Sequence, residues 1–206
     1  TPVMTAATAA GPVLMEGHDL ELWRGETRLF TKVSFQLRAG ELLHIVGPNG
    51  CGKTSLLRVL CGLTLPETGE VYWREKKIAR NRADFHASLC YLGHRESLKA
   101  DLTAEENLVF QLGLRAWLSK ADIHAALERV GLSKRRHVPA RSLSAGQKRR
   151  VSLAKALASG AKLWILDEPY TNLDVAGREL VDQMMSEHLS RDGLVLLVAH
   201  QAHGVA

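Results

Sequence analysis

Several features that define large protein classes are scarce or missing in this chain of 206 residues. Its three cysteines, Cys51, Cys61 and Cys90, are too few and too scattered for a disulfide framework or a zinc site. It has no run of 18 or more apolar residues, so no segment is predicted to span a membrane. It also has no internal repeat and no low-complexity linker. These absences favour a globular protein of a reducing, cytosolic compartment.

The first thirteen residues are rich in Ala and Thr but have neither a basic start nor a sustained apolar run, so we expect no signal peptide. We predict a flexible leader at 1–15 and a single domain at 16–206. The formal net charge is +5, with basic clusters at 134–137 and 148–150. Nucleic acid, anionic lipid and an acidic partner are all conceivable for such clusters. Because no aromatic residues are interleaved with them and no nucleic-acid motif is present, we interpret them as solvated surface and expect no nucleic acid.

A phosphate-binding loop is the most informative pattern. Residues 47–54 match G-x-x-x-x-G-K-[ST] and lie between an apolar run at 42–46 and a helical segment. Glycines let backbone N–H groups approach phosphate oxygens, and the following helix directs its positive end toward the same oxygens. Lysine can reach the β- and γ-phosphates, and the threonine hydroxyl can ligate Mg²⁺. The predicted nucleotide-binding residues of this loop are Gly47, Pro48, Asn49, Gly50, Cys51, Gly52, Lys53, Thr54 and Ser55.

Two carboxylates end another apolar run, residues 163–166. Asp167 would stand at the carboxyl end of a buried strand, where Mg²⁺ bound beside a phosphate loop needs an oxygen ligand. Glu168 would project differently and could orient the water that attacks the γ-phosphate. Alone, an Asp-Glu pair is equally typical of surface acids, and the phosphate loop is what favours the functional interpretation.

Two further features are ambiguous from spacing alone. Ser144 and Gln147 have capping-box spacing, and Gly146 between them would let a ligand approach the backbone at the start of a helix. A plain helix cap explains the same spacing. His200 follows an apolar run at 194–199 and could donate to a γ-phosphate, although a lone histidine at a strand end is often structural.

The pattern along the chain predicts an α/β protein. Residues 18–46 look β-rich, with an alternating run at 33–37, and 162–166 and 194–199 read as buried strands. From a capping box at Thr103–Glu106 onward the pattern is helical. We therefore predict an α/β core interrupted by a helical insertion at about 95–160.

These motifs, in this order, resemble the nucleotide-binding subunits of ABC transporters over about residues 16–203. The resemblance implies a P-loop NTPase fold of the ABC type, with a RecA-like core, an antiparallel β lobe and an inserted helical subdomain. It implies ATP hydrolysis with Mg²⁺ in a head-to-tail dimer of two copies. The matching segments are 47–54 (Walker A), 143–147 (signature), 163–168 (Walker B), 172–174 (D-loop) and His200 (switch histidine).

The resemblance also implies residue roles. Ser144, Gly146, Gln147 and Asp174 would face the nucleotide bound by the second copy, and His200 and Lys53 would act with Glu168 in hydrolysis. Trp23 would stack on adenine, with core packing of the β lobe as its alternative. The family usually has Gln where this chain has His94, so whether His94 takes over contact with Mg²⁺ and water is open.

Residues 91–108 and 163–174 resemble one branch in particular, the ATPase subunits of cytochrome c maturation haem-export complexes. That resemblance implies a peripheral protein on the cytoplasmic face of the bacterial inner membrane, working with integral-membrane subunits of the CcmB, CcmC and CcmD types. The alternatives are the ATPase of another ABC importer or exporter, a non-transport ABC protein, and a binding module without catalysis. The single cassette without a coiled-coil insertion disfavours the second, and the presence of Lys53, Asp167 and Glu168 disfavours the third.

Overall fold

A computed structural model describes residues 2–6, 11–48, 50–94, 97–113 and 119–199, with the side chains of residues 3, 5 and 6 left out. These residues form two sheets and six α-helices. The strands are β1 (Val3–Ala6), β2 (Val13–Arg24), β3 (Thr27–Arg38), β4 (Leu42–Val46), β5 (Thr68–Trp73), β6 (Lys76–Lys77), β7 (Leu89–Leu92), β8 (Leu163–Asp167) and β9 (Leu194–Val198). The helices are α1 (Lys53–Leu60), α2 (Arg82–Ala87), α3 (Ala104–Leu112), α4 (Lys120–Arg129), α5 (Ala145–Ala158) and α6 (Val175–Ser190).

The larger sheet has the strand order β1-β4-β9-β8-β7. Strands β4, β9, β8 and β7 are parallel, and β1 pairs antiparallel with β4 at the edge. Every residue of β8 and β9 is buried, as expected for central parallel strands covered on both faces. Because parallel strands point the same way, the chain segments that follow β4, β7, β8 and β9 all emerge along one edge of the sheet, the one formed by the carboxyl ends of these strands.

The smaller sheet is antiparallel, with the order β3-β2-β5-β6. In β3 the side chains of Val33, Phe35 and Leu37 are buried and the residues between them are exposed. This two-residue period is typical of a sheet that has one face exposed to solvent. Its apolar face shares one core with α1 and with residues of the parallel sheet such as Ile45 and Ile165. The β lobe and α1 therefore cover the same face of the parallel sheet.

Helices α3, α4 and α5 lie between β7 and β8 in the chain and share a second core with α6 and the other face of the parallel sheet. Each of the three begins with a capping box, in which a Ser or Thr side chain and a side chain three residues on satisfy each other's backbone N–H. The capping box predicted at Thr103 and Glu106 is confirmed. Within the described residues, no helix combines the length and the apolar character needed to cross a bilayer.

The structure differs from two expectations near the ends of elements. Residues 1–15 were expected to form a leader, but residues 3–6 form β1 and β2 begins at Val13, with Met15 fully buried. The boundary at residue 16 therefore falls inside β2, because Met15 pairs with Leu37 and Trp73 across the lobe. The sequence pattern also missed α2, a helix of only six residues that is anchored by buried Phe85.

The fully buried Asn107 of α3 holds the segment before that helix in place. Its Oδ1 accepts from the Lys99 N–H at 2.8 Å, and its Nδ2 donates to three backbone carbonyls. The carbonyls belong to Lys99, Leu102 and Thr103, at 3.1, 3.0 and 3.0 Å. A buried amide with this many partners stabilises the turn at residues 99–103.

We expect Asn107→Ala to lower the free energy of unfolding by about 2 kcal/mol or more, because it removes a fully buried amide together with its four hydrogen bonds. Urea unfolding followed by circular dichroism measures the change. Gln111→Ala is the control: Gln111 lies one turn further along α3 and makes one bond, to the Ser97 carbonyl. Its cost should be about 0.5 kcal/mol. Equal losses in the two variants would contradict this account of Asn107.

Candidate functional site

The loop that joins β4 to α1 is shaped by glycine and by a buried lysine. Gly52 precedes α1 with φ 97°, and a Cβ there would lie 3.2 Å from the Leu29 Cβ. Only glycine adopts this conformation without strain. No side chain caps the first turn of α1, so its N–H groups point to the space outside the helix. Asn49, predicted to belong to this loop, lies outside the described residues.

The Lys53 ammonium lies inside the loop. Its Nζ donates to the carbonyl oxygens of Gly47 at 2.6 Å and Pro48 at 3.1 Å, and the residue is 9% exposed. An ammonium has three N–H donors, so these two bonds leave one donor for another oxygen. The loop therefore places a positive charge, together with the start of α1, at the edge of the parallel sheet.

Two acidic residues face this loop from the end of β8. Asp167 is 2% exposed, and its Oδ2 is buried with no hydrogen-bond partner among the described residues. Burial and the nearby Glu168 carboxylate raise the pKa of the Asp167 carboxyl above its ordinary range, while positive charge on neighbouring side chains acts in the opposite direction. A buried carboxylate oxygen without a donor is well suited to ligate a cation.

Glu168 has a backbone conformation that is uncommon for its residue type. Its φ is 53°, in the left-handed region, and its N–H donates to the Val198 carbonyl at 2.8 Å. This turn directs the chain away from β8 directly after Asp167. Strain of this kind persists only where surrounding contacts hold it, and it is often found at functional sites.

A cavity of about 440 Å³ joins these features. It brings the phosphate loop together with both acidic residues and with His94, which follows β7 and is exposed. A second cavity, also of about 440 Å³, continues past His94 between β7 and α5. The first is lined by Arg24, Leu29, Gly50, Gly52, Lys53, Thr54, Ser55, His94, Asp167, Glu168 and Val198.

Trp23 lies at the end of β2, beside the lining residue Arg24, but does not itself line the cavity. It is 42% exposed, and its Nε1 donates to Glu21 Oε1 at 2.6 Å. The Arg28 guanidinium lies 5.8 Å from its ring centroid. The alternative that Trp23 packs in the core of the β lobe is therefore wrong, and its ring is available for contact from solvent.

Sequence reasoning missed Arg24 and Leu29, both of which line the cavity from the hairpin of β2 and β3. The available signal was their position beside Trp23, at the loop end of the predicted β lobe. Neither residue belongs to a contiguous motif, so only the packing of the lobe against α1 reveals them.

The residues predicted to contact a second copy lie on a different surface. Ser144 caps α5, with its Oγ accepting from the Gln147 N–H at 3.2 Å and Gln147 Oε1 accepting from the Ser144 N–H at 3.0 Å. A Cβ at Gly146 would lie 2.8 Å from the Asn172 carbonyl oxygen. Asp174 caps α6 by accepting a hydrogen bond from the Gly177 N–H. This bond holds the pKa of the Asp174 carboxyl below its ordinary range. None of these residues lines the cavity around Lys53.

The remaining predicted residue, His200, lies outside the described residues. The segment leading to it does not: β9 ends at Val198, and the Ala199 carbonyl oxygen lies 3.3 Å from His44 Nε2. His44 is buried in β4, next to β9 in the sheet. The end of β9 is thus held beside the strand that carries the phosphate loop.

A profile of the ABC transporter family matches residues 30–171, which include the loop around Lys53 and the two acids at the end of β8. The chain belongs to the ABC transporter family. It is 46% identical over 196 residues to the cytochrome c biogenesis ATP-binding export protein CcmA of Nitrosomonas europaea, covering 94% of this chain and 92% of that protein. Its identity to the protein of the same description from Dechloromonas aromatica is 47% over 189 residues, covering 91% and 93%.

Solved ABC structures have the same fold. An ATP-binding protein described as a putative ABC transporter from Pyrococcus furiosus superposes with a TM-score of 0.82 at 24% identity, covering 93% of each chain. An ATP-binding subunit of another ABC transporter gives 0.81 at 24% identity, covering 91% of this chain and 79% of that one. The predicted ABC fold, with its antiparallel β lobe and parallel RecA-like sheet, is confirmed.

Family membership establishes the general activity. The chain is an ABC-type ATPase that binds ATP, and as an ABC ATPase subunit it works with membrane transporter subunits. The alternatives of a binding module without catalysis and of a non-transport ABC protein are therefore wrong. Within the family the chain is CcmA-like, as its sequence motifs predicted.

The phosphate loop contains the one cysteine of the three that is accessible. Cys51 is half-buried, whereas Cys61 and Cys90 are buried, and burial raises the pKa of the Cys61 thiol to about 12. Cys51 Sγ would lie 2.7 Å from a Cβ placed on Gly47, so a group attached to it would crowd the carbonyl that Lys53 contacts.

We expect N-ethylmaleimide to inactivate the ATPase through Cys51, and to modify Cys51 at least about ten times faster than Cys61 or Cys90. Mg-ATP should protect, and Cys51→Ala should be active and resistant. Peptide mapping by mass spectrometry locates the label. Inactivation that persists in Cys51→Ala, or that follows labelling of another cysteine, would contradict the prediction.

Proposed function

We propose that this chain is the ATP-hydrolysing subunit of a CcmABCD-type complex of cytochrome c maturation, in which ATP turnover is coupled to haem export or to release of a haem-loaded chaperone. The observation that carries its catalytic part is the cavity that brings Lys53 and Thr54 together with Asp167 and Glu168. The coupling to cytochrome c biogenesis rests on identities of 46% and 47% to proteins described as CcmA.

In this proposal the loop at 47–55 binds the nucleotide phosphates. Backbone N–H groups at the start of α1 and the Lys53 ammonium face the β- and γ-phosphates. The exposed face of Trp23 stacks on adenine, with Arg24 beside it at the mouth of the cavity. His200 donates to the γ-phosphate, a role that rests on the family resemblance alone.

Glu168 holds the attacking water. A carboxylate next to the transferred phosphoryl group accepts a proton from water as the new P–O bond forms and the β–γ bridge breaks. The left-handed conformation of Glu168 turns the chain directly after Asp167, and in this proposal the two acids serve different tasks. Lys53 neutralises charge that develops on the phosphate oxygens.

The donor set also fits Mg²⁺. Thr54 is exposed and lines the cavity, and Asp167 offers a buried oxygen that has no hydrogen-bond partner among the described residues. Hydroxyl and carboxylate oxygens are the ligands that Mg²⁺ takes beside nucleotide phosphates, and His94 lines the same cavity. Bound there, the ion would offset phosphate charge. The raised pKa of Asp167 is consistent with a carboxylate that needs a cation to stay ionised.

A second copy completes each site in this proposal. The starts of α5 and α6, with Ser144, Gly146, Gln147 and Asp174, would face the nucleotide of the other copy in a head-to-tail dimer. The dimer would lie on the cytoplasmic face of the bacterial inner membrane, as a peripheral subunit bound to CcmB-, CcmC- and CcmD-like membrane proteins. The similarity to CcmA proteins over more than nine-tenths of the chain supports this assembly.

We expect Glu168→Gln to bind ATP as the parent does, to lose at least about 100-fold in turnover, and to accumulate as an ATP-bound dimer. Lys53→Ala should instead bind ATP poorly, because it loses the cation inside the loop. Phosphate release, ATP titration and light scattering separate the two effects. Turnover by Glu168→Gln equal to that of the parent would refute the assignment of Glu168.

The biological part of the proposal has its own readout. In a bacterial strain that lacks its CcmA protein, the parent chain should restore haem-containing c-type cytochromes and Glu168→Gln should not. Restoration by neither, with both proteins present at normal levels and the parent active as an ATPase, would leave the ATPase assignment intact and contradict the cytochrome c assignment.

His94 connects the two cavities, which makes it a candidate for coupling to the membrane subunits. We expect His94→Gln to keep the ATPase activity of the isolated subunit and to change its stimulation by those subunits, because Gln can bond to water and metal but cannot take up a proton. Turnover with and without co-purified membrane partners measures this. Unchanged basal and stimulated rates in His94→Ala would make His94 a surface residue.

A further inference from the structure

A charged side chain that no sequence motif identified lies behind the acidic end of β8. Arg149, in the second turn of α5, is 1% exposed. Within the described residues, its guanidinium donates four hydrogen bonds to backbone carbonyl oxygens. The acceptors are Pro169 at 3.1 Å from Nε, Gly93 at 3.0 Å from Nη1, and Asp167 at 2.9 Å and Glu168 at 2.6 Å from Nη2.

A buried guanidinium is costly unless its donors are satisfied, so this arrangement requires a fixed backbone around it. Three of the acceptors are consecutive carbonyls at the end of β8, and the fourth precedes His94 at the end of β7. A planar fork of N–H donors fits several carbonyls at once, which a lysine ammonium on a flexible stem does not.

The bonds of Arg149 meet the strained turn at Glu168. The Glu168 N–H is bound to Val198 in β9, and its carbonyl is bound to Arg149 in α5. Its peptide groups are thus held on both sides of a Cα whose φ is 53°. Without the second contact, the left-handed conformation would lose one of the interactions that offset its strain.

Arg149 is also rigidly connected to the first turn of α5. Ser144 caps the helix and Arg149 lies five residues on, so a rigid α-helical segment joins the cap to the guanidinium. The carbonyl of Gly93 adds the segment that carries His94. One side chain thereby connects the start of α5 to the two segments that line the cavity from β7 and β8.

We propose that Arg149 is a positioning residue for ATP hydrolysis, whose guanidinium fixes the backbone of Glu168 relative to the start of α5. The proposal rests on the proposed role of Glu168. Arg149 does not line the nucleotide cavity, so its effect passes through the backbone of Asp167, Glu168 and Pro169. It therefore acts on turnover and not on the binding of ATP.

The test compares Arg149→Met, which keeps the aliphatic stem and removes all donors, with Arg149→Lys, which keeps the charge. Lys155→Met is the matched control: Lys155 lies on the same helix and donates to the Tyr91 carbonyl of β7 at 3.0 Å. Turnover, KM for ATP and ATP affinity are measured for each folded variant, together with thermal unfolding.

We expect Arg149→Met to lose at least about tenfold in kcat while its ATP affinity stays within about threefold of the parent. Arg149→Lys should recover part of the loss, and Lys155→Met should keep kcat within about twofold. Unchanged kcat in Arg149→Met would overturn the proposal, as would a parallel loss of kcat and ATP affinity that Arg149→Lys does not relieve. If Arg149→Met does not fold, Arg149→Lys is judged instead. A lowered kcat with parental ATP affinity in Arg149→Lys then supports the proposal, and a parental kcat overturns it.

A double variant tests whether Arg149 acts through Glu168. If it does, Glu168→Gln combined with Arg149→Lys should turn over no more slowly than Glu168→Gln alone, because residues that act as a unit are not additive. Multiplying losses would contradict the proposal. Parental turnover in Glu168→Gln would overturn the role of Glu168 itself, whereas a blocked Glu168→Gln with an unaffected Arg149→Met overturns only the inference about Arg149.

Discussion

Burial of the two central parallel strands on both faces is the constraint on which the rest of the structure depends. Strands β8 and β9 have no exposed residue, so neither can carry a solvated polar side chain along its length. The β lobe and α1 cover one face of the sheet, and α5 and α6 the other. Polar chemistry is therefore confined to the edge where the parallel strands end.

At that edge each strand contributes one part. The end of β4 supplies the loop that holds Lys53, the end of β8 supplies the two acids, and the end of β7 leads to His94. Because these parts are joined to separate strands, their mutual distances depend on how firmly the strand ends are held together. Here the Arg149 guanidinium donates to the Glu168 carbonyl, and the Glu168 N–H donates to the Val198 carbonyl. The acidic segment is thus bound to helix α5 as well as to the neighbouring strand β9.

Sequence could predict the parts of this site that are contiguous. The phosphate loop and the Asp167-Glu168 pair each combine an apolar strand with the residues directly after it, so a local pattern identifies them. Arg24 and Arg149 could not be found in this way, because their roles depend on contacts with segments distant in the chain. By sequence, Arg149 belongs to the basic cluster at 148–150, which the pattern predicts to be solvated, and its burial contradicts that prediction for this residue.

The same distinction applies to the fold. Long alternating or apolar segments and the capping box at Thr103 gave the element types, since these signals are local. The pairing of residues 3–6 with β4 depends on an available sheet edge, which no local pattern shows.

The close approach of Gly146 to the loop before α6 changes how variation at this position should be interpreted. A Cβ at Gly146 would lie 2.8 Å from the Asn172 carbonyl oxygen, a backbone atom that cannot rotate away as a side chain can. Any larger residue must therefore displace the loop that leads to Asp174. An inherited or selected replacement at position 146 thus reports on the shape of that neighbouring loop, and tolerance of it in a related protein implies a compensating change near residue 172.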